Sequence, residues 1–359
     1  MARPGLFRNT PEAADAVALG IHSAEELHRI LLRERELANR FEGCFSLLVF
    51  AAEDPKFLMA TFTQLMEVLR CRLRLSDEVG WLDERHTQIA VVMHRILPED
   101  AWKVADDVVA AFPAEIPRPA CSVRQYPSDP SLGHDVRENT SARSTSPART
   151  VGPVEELFIV PIPAWKRCLD ILGAGIGLAL LSPLLLVVAL TVKATSRGPI
   201  FFSQPRRGWG GRRFVIHKFR SMTTDAEEKH RWLMMFNEQD GPAFKMKNDP
   251  RITTIGRFLR KTNLDELPQL WNVFNGDMSL VGPRPLICPE ADACAVWQRQ
   301  RLDVTPGMTG IWQVRGRRDD FDGWMRMDLQ YIQTRSLPLD LRLVLETVRV
   351  VFLGRPAGF

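Results

Sequence analysis

Asp265 and Glu266 stand side by side in the run Thr262-Asn263-Leu264-Asp265-Glu266-Leu267-Pro268. Thr262 and Asp265, three residues apart, have the spacing of a capping box for a helix that follows, and Pro268 suits a first helical turn. A helix N-terminus carries about half a positive charge. That field predicts Asp265 ionised, as a nucleophile must be, beside free amides able to receive a phosphate. Repulsion between a carboxylate nucleophile and phosphates has to be offset by cations. Arg260 lies five residues before Asp265, Arg284 sits between Pro283 and Pro285, and Lys218 and Arg220 share the block HKFRSM. Arginine suits planar, multidentate phosphate recognition and lysine supplies a point charge. Any one of them alone reads equally as a solvated surface charge, but two prolines stiffen the backbone that presents Arg284.

Other chemistry-bearing residues have plainer readings. Gly208, Gly210 and Gly211 read as a hairpin turn, because no Gly-Lys-Ser/Thr follows them as a phosphate loop requires. Asp320-Phe321-Asp322 reads as the N-cap of a helix over 321–335 rather than a metal-binding Asp-x-Asp. His217 and His230 read as structural, and Asp249 before Pro250 as a turn residue. The six cysteines form no Cys-x-x-Cys and have no nearby histidine pair, so a zinc site is not expected and reduced thiols in a cytoplasmic setting are.

The elements that must position these groups fall in a chain of 359 residues, 45% hydrophobic and 25% charged. That balance excludes bulk disorder and a fibrous repeat, and the length favours two domains. The first 117 residues carry 13 Lys and Arg against 19 Asp and Glu, and the remainder 34 against 24. A basic second part points to a polyanionic partner. Met1–Thr10 holds no apolar core of a signal peptide.

Ile171–Val192 runs 22 residues without a charge. A straight helix of that length is ~33 Å long, enough to cross a ~30 Å hydrocarbon core. One spanning helix is the simplest reading. Ser182-Pro183 sits near its midpoint, however, where proline removes a donor and favours a sharp bend. Lys166 and Arg167 precede the segment, while Lys193, Arg197, Arg206 and Arg207 follow it, so the positive-inside bias places both ends on the cytoplasmic side. A re-entrant, kinked helix over 166–194, broken at Ser182 and Pro183, satisfies both features.

Before it, 23–40 reads as a charged amphipathic helix, 44–50 as a buried strand and 57–73 as a helix. Residues 77–83 and 87–94 read as a strand pair, and 99–112 as a closing helix. This order makes an α+β unit of ferredoxin-like type. Its run FSLLVF … RLRLSDEVGWLDERHTQIAVVM … DAWKVADDV resembles the diguanylate-cyclase (GGDEF-type) family. The signature glycines and acidic pair are replaced by Asp83-Glu84-Arg85-His86. The resemblance therefore implies a degenerate regulatory or dimerising module, which leaves a homodimer open. Pro, Ser and Arg enrichment marks 116–160 as a flexible linker.

From Lys166 onward five ordered blocks appear: Lys166-Arg167-x-x-Asp170-Ile171, then 198–214, 217–222, 244–285 and 305–317. In that order they resemble the bacterial sugar transferase family, the monotopic polyprenyl-phosphate phosphoglycosyl transferases. The resemblance implies that Asp265 attacks a UDP-sugar, UMP leaves, and polyprenyl phosphate collects the sugar phosphate from the carboxylate. It implies Mg2+ bound by Asp265 and Glu266, substrate contacts from Arg260, Arg284, Lys218 and Arg220, and no nucleic-acid partner. It also implies a place on the inner membrane facing the cytoplasm, in exopolysaccharide or surface-glycan synthesis. The alternative is an inactive membrane scaffold or nucleotide sensor. The expected organisation is a tail (1–22), a ferredoxin-like α/β sandwich (23–115), a linker (116–160) and a mostly helical monotopic catalytic domain (161–359). The amphipathic end, 337–354, either packs on the core or lies on the membrane surface.

Overall fold

A computed structural model describes residues 21–128, 151–238, 240–244, 246, 248–315 and 320–353. The chain divides into two compact units, residues 1–158 and 159–359. The expected 1–22 tail lies almost wholly outside the described residues.

In the first unit, α1 (Ala24–Phe41) opens on Ser23. Its hydroxyl accepts from the Glu26 amide at 3.2 Å, while the Glu26 carboxylate takes the Ser23 amide at 3.0 Å. Then follow β1 (Phe45–Ala51), α2 (Leu58–Arg70), β2 (Glu78–Trp81), β3 (Gln88–His94) and α3 (Pro98–Ala110). β1 pairs antiparallel with β3, and β2 with β3. Alternate residues of the strands, among them Leu48, Phe50, Ile89 and Val91, bury one face against Phe62 and Leu65 of α2 and Ala105 and Val108 of α3. Period-two alternation delivers this face without any single strand being wholly apolar.

The linker expected over 116–160 is corrected in part. β4 (Ala120–Tyr126) pairs antiparallel with the other edge of β1, Phe45 opposite Tyr126, and β5 (Val151–Pro153) pairs parallel with β4. The sheet order is β2-β3-β1-β4-β5. In β4, Val123 and Tyr126 are the fully buried positions, and Tyr126 stacks on Phe45 at 5.4 Å. The strand is held by its ladder rather than by an apolar run, so composition concealed it. The central part of the expected linker, 129–150, lies outside the described residues.

The second unit begins with α4 (Ala164–Thr195), the helix among the described residues that is long and apolar enough to cross a membrane. Its 32 residues continue through Pro183, where a break was expected. Pro183 deprives the Ala179 carbonyl of its usual donor, and the Ser182 hydroxyl donates to that carbonyl at 2.8 Å. Serine beside proline thus repairs locally what proline removes. Ile176, Leu180, Leu184 and Val187 are exposed along the middle of this helix, whereas Lys166, Asp170, Ala174, Val188 and Val192 are buried.

β6 (Phe201–Arg207) and β7 (Arg213–Phe219) form an antiparallel hairpin whose turn carries the three expected glycines. Next come α5 (Ala226–Leu233), α6 (Thr254–Lys261), a 3-10 turn at Leu264–Glu266 and α7 (Gln269–Asn275). β8 (Ser279–Val281), α8 (Cys288–Asp292), β9 (Gly307–Thr309), α9 (Ile311–Arg315), α10 (Phe321–Thr334) and α11 (Leu337–Leu353) complete the unit. Asp320 caps α10 as expected, accepting from the Gly323 amide at 2.7 Å. α11 packs on the core along one face, the first of the two readings of this segment. Leu343 is buried in a cluster with Val281 and Tyr331, whereas Leu341 and Leu345 are exposed.

Both halves of α4 pack on this unit. Ala174 joins Ile216, Leu270, Val273 and Met278, while Val188 and Val192 join Phe219 and Leu259. Lys166 is buried in an ion pair with Asp340 of α11, and Arg167 donates to the Val273 and Phe274 carbonyls at the end of α7, both at 2.7 Å. Lys166 therefore spends its charge inside the fold instead of displaying it to lipid headgroups.

Candidate active site

Asn263 adopts a left-handed conformation (φ 57°), which asparagine tolerates better than most residues. It reverses the chain after α6, so the next turn presents Asp265 and Glu266 toward β7. The expected capping box is corrected. Thr262 closes α6 instead, its hydroxyl donating to the Phe258 and Leu259 carbonyls at 2.9 and 3.2 Å. Residues 264–266 form a 3-10 turn, and α7 begins only at Gln269, behind Pro268.

Glu266 is the electrostatic hub. Its Oε1 accepts from Lys218 Nζ at 2.8 Å and from the Arg284 guanidinium at 2.5 Å, and its Oε2 accepts from Arg284 at 3.1 Å. Burial acts to raise its pKa, but Arg284 and Lys218 outweigh burial and hold the carboxyl well below the ordinary range. Asp265 is 6% exposed and accepts no hydrogen bond from the described residues. Burial, then the charge of Glu266, pushes its pKa up against the opposing pull of Lys218, Arg260 and Arg284. The helix field expected to lower it does not govern, because a 3-10 turn and a proline intervene before α7.

Arg260 faces Asp265 electrostatically and donates from Nε to the Ser221 hydroxyl at 2.9 Å. Its helix lies so close to the Ser221 backbone that a Cβ at Gly256 would stand 1.9 Å from the Ser221 carbonyl oxygen. Only glycine permits that approach. Arg260 also senses Asp249, which is more than a turn residue: it forms a buried pair with Arg251 at 2.7 Å. Arg220 lies elsewhere. It donates to the Ser196 carbonyl at 2.9 Å and the Ser196 hydroxyl at 2.6 Å, bracing the end of α4 rather than meeting the acidic pair.

Sequence reasoning missed four positions. Arg206 is desolvated beside Arg284, with its pKa pushed down to about 10. In the sequence it counts only among the positive charges that follow the apolar segment. Asn272 ties α7 to β7, accepting from the His217 amide at 3.1 Å and donating to the Val215 carbonyl at 2.7 Å. It thereby sets the place of Lys218. The remaining two are Arg301 and Asp328, a buried pair at 2.7 Å.

The segment carrying Arg284 is gripped along its backbone. The carbonyl of Pro283 accepts from the Gly307 amide at 2.8 Å, that of Arg284 from Arg301, that of Pro285 from Arg206 at 3.1 Å, and that of Leu286 from the Arg207 amide at 3.1 Å. The block 305–317 thus supports this segment. A Cβ at Gly307 would stand 2.0 Å from the Gly282 nitrogen.

No group of three or more metal-ligating side chains occurs among the described residues. Mg2+ needs only one or two protein carboxylates when phosphates complete its shell. The Asp265 carboxylate, free of hydrogen bonds from the described residues, fits such an ion. Glu266, with both oxygens already taken by two cations, fits less well.

Residues 162–354 match the model of the bacterial sugar transferase family. Galactosyl transferase CpsE of Streptococcus agalactiae serotype III (strain NEM316) is 45% identical over 194 residues, covering 54% of this chain and 43% of that relative. The exopolysaccharide production protein ExoY of Rhizobium meliloti (strain 1021) is 40% identical over 198 residues, covering 53% and 86%. The UDP-glucose:undecaprenyl-phosphate glucose-1-phosphate transferase of Caulobacter vibrioides is 39% identical over 240 residues, covering 64% and 85%. The chain thus spans less than half the length of the Streptococcus relative. Among solved structures, a DGC protein from Thermotoga maritima is similar over 31% of this chain and 86% of its own, with 16% identity and a TM-score of 0.27.

Proposed function

The chain belongs to the bacterial sugar transferase family, and from that premise we propose that it moves a sugar 1-phosphate from a UDP-sugar to polyprenyl phosphate through Asp265. One Asp265 carboxylate oxygen attacks the phosphorus that bears the sugar. The bond from that phosphorus to the bridging oxygen breaks, and UMP leaves with the oxygen. The sugar phosphate remains as an acyl phosphate on Asp265. A phosphate oxygen of the polyprenyl carrier then attacks the same phosphorus and restores the carboxylate. A covalent intermediate splits one difficult exchange between phosphates into two displacements.

The observation that carries this reading is the charge arrangement around one unencumbered carboxylate. Lys218, Arg284, Arg206 and Arg260 surround Asp265 and Glu266, an excess of cations suited to a diphosphate. Arg284 and Lys218 bring positive charge to the phosphates, and Glu266 holds both side chains in place. Mg2+, held by Asp265 and by Glu266 if its clamp opens, would neutralise charge on the diphosphate. The test is UMP release across a panel of UDP-sugars with polyprenyl phosphate. Asp265→Asn is expected to abolish it; wild-type turnover in that variant would end the nucleophile assignment.

The same reading places α4 as a re-entrant helix in the cytoplasmic leaflet of the inner membrane. Its support is that both ends of the helix engage one polar unit: Lys166 and Arg167 at the start, Ser196 with Arg220 at the end. A spanning helix would carry those ends to opposite sides of the bilayer. Exposed Cys168 and a cysteine at Arg197 are expected to label only from the cytoplasm. We read the first unit as a ferredoxin-like regulatory module without cyclase chemistry. In its β2–β3 turn Asp83 is occupied by the Thr87 and Gln88 amides at 2.9 and 3.2 Å.

A further inference from the structure

We propose that Arg301 and Asp328 form a positioning pair that holds the Arg284 guanidinium in its seat on Glu266, an inference that rests on Arg284 contacting the diphosphate. Both side chains are buried, at 4% and 1% exposure. Arg301 donates to one Asp328 oxygen through Nε at 3.2 Å and Nη2 at 2.7 Å, and Nη2 also donates to the Arg284 carbonyl. Asp328 on α10 thus fixes a guanidinium whose other contact is the backbone of Arg284, on the far side of α8 in the chain.

That carbonyl is an unusual handle. The peptide joining Arg284 to Pro285 has no N–H, so its carbonyl is its one hydrogen-bonding group. Prolines on both sides hold their own φ near −65°. The torsions of residue 284 are the soft joint of the segment, and Arg301 grips that joint. When it turns, the Arg284 side chain moves with it, and with it the two bonds to Glu266 at 2.5 and 3.1 Å. The neighbouring carbonyls of Pro283 and Pro285 are held independently, by Gly307 and Arg206. Loss of Arg301 therefore frees residue 284 selectively.

A pair acting through Arg284 has a signature that a merely structural pair lacks: its loss matters only while Arg284 is present. The experiment is a double-mutant cycle on the full chain, reading kcat/KM for UMP release and equilibrium binding of UDP. Arg301→Lys is expected to cost about tenfold or more in the wild-type background and less than about twofold in the Arg284→Ala background, where nothing remains to be positioned. An equal loss in both backgrounds, or none in the wild type, overturns the inference. If Arg301→Lys does not fold, the isosteric Asp328→Asn takes its place in the same cycle. If Arg284→Ala turns over too slowly, the binding of UDP supplies the four corners. A wild-type protein that releases no UMP from any UDP-sugar overturns the transferase reading instead, and the UDP-binding cycle still decides the positioning role.

Discussion

At the scale of single residues, the site is built on an inequality between two neighbouring carboxylates. Glu266 satisfies both oxygens with cations, and Asp265 is left buried without a hydrogen bond from the described residues. An Asp265 pKa raised above its ordinary 3.8 has two consequences of determined sign. The nucleophile protonates at a higher pH than an exposed aspartate, so kcat/KM is expected to fall with acid above pH 3.8. In Glu266→Gln the fall of the residual activity is expected to move to lower pH, since burial still raises the Asp265 pKa but the second contribution, the Glu266 charge, is gone. For stability, the fold favours the protonated form. That preference is fully expressed below 3.8 and lost as pH rises through the raised value. Asp265→Asn is therefore expected to melt higher than wild type at neutral pH while being inactive, and the gap should close in acid. A lower melting temperature at neutral pH would show that the carboxylate is stabilised by partners, against the arrangement described.

At the scale of elements, close backbone approaches set the cations. Gly256 lets α6 lie on the Ser221 backbone, and the Ser221 hydroxyl accepts from Arg260. Gly256→Ala is expected to destabilise the protein by about 1–3 kcal/mol through overpacking, and to lower kcat/KM by displacing Arg260. Thermal melts together with UMP release check it, and a neutral result would mean the helix has room to shift. In α4, the Ser182–Ala179 bond replaces what Pro183 removes. Pro183→Ala restores the amide donor and is expected to make the segment behave more like a spanning helix, with a cysteine at position 197 becoming reachable from outside. The blocks that resemble the family were legible because each is a short string. The roles of 305–317 and of Asn272 were not, because they act as support for backbone that is distant in sequence.

At the scale of the whole molecule, an acidic first part and a basic second part coincide closely with the two compact units. The apolar helix belongs wholly to the second. Residues 159–359 alone are therefore expected to pellet with membranes and to resist a high-salt wash, because burial of an apolar helix does not depend on surface charge. Recovery of that fragment in the soluble fraction would mean that the first unit supplies the anchorage.

Local patterns were enough to identify α1–α3 and β1–β3 of the first unit, the apolar helix, the family and the acidic pair, since hydrophobic period and short motifs are properties of neighbouring residues. Only the tertiary structure decided that β4 comes from a stretch rich in proline and arginine, that Thr262 ends one helix instead of starting another, that Arg220 braces α4, and that Arg301 reaches Arg284. Each of those depends on which of many equivalent polar groups meets which partner across tens of residues. Burial and hydrogen-bond geometry select that partner after the chain has folded.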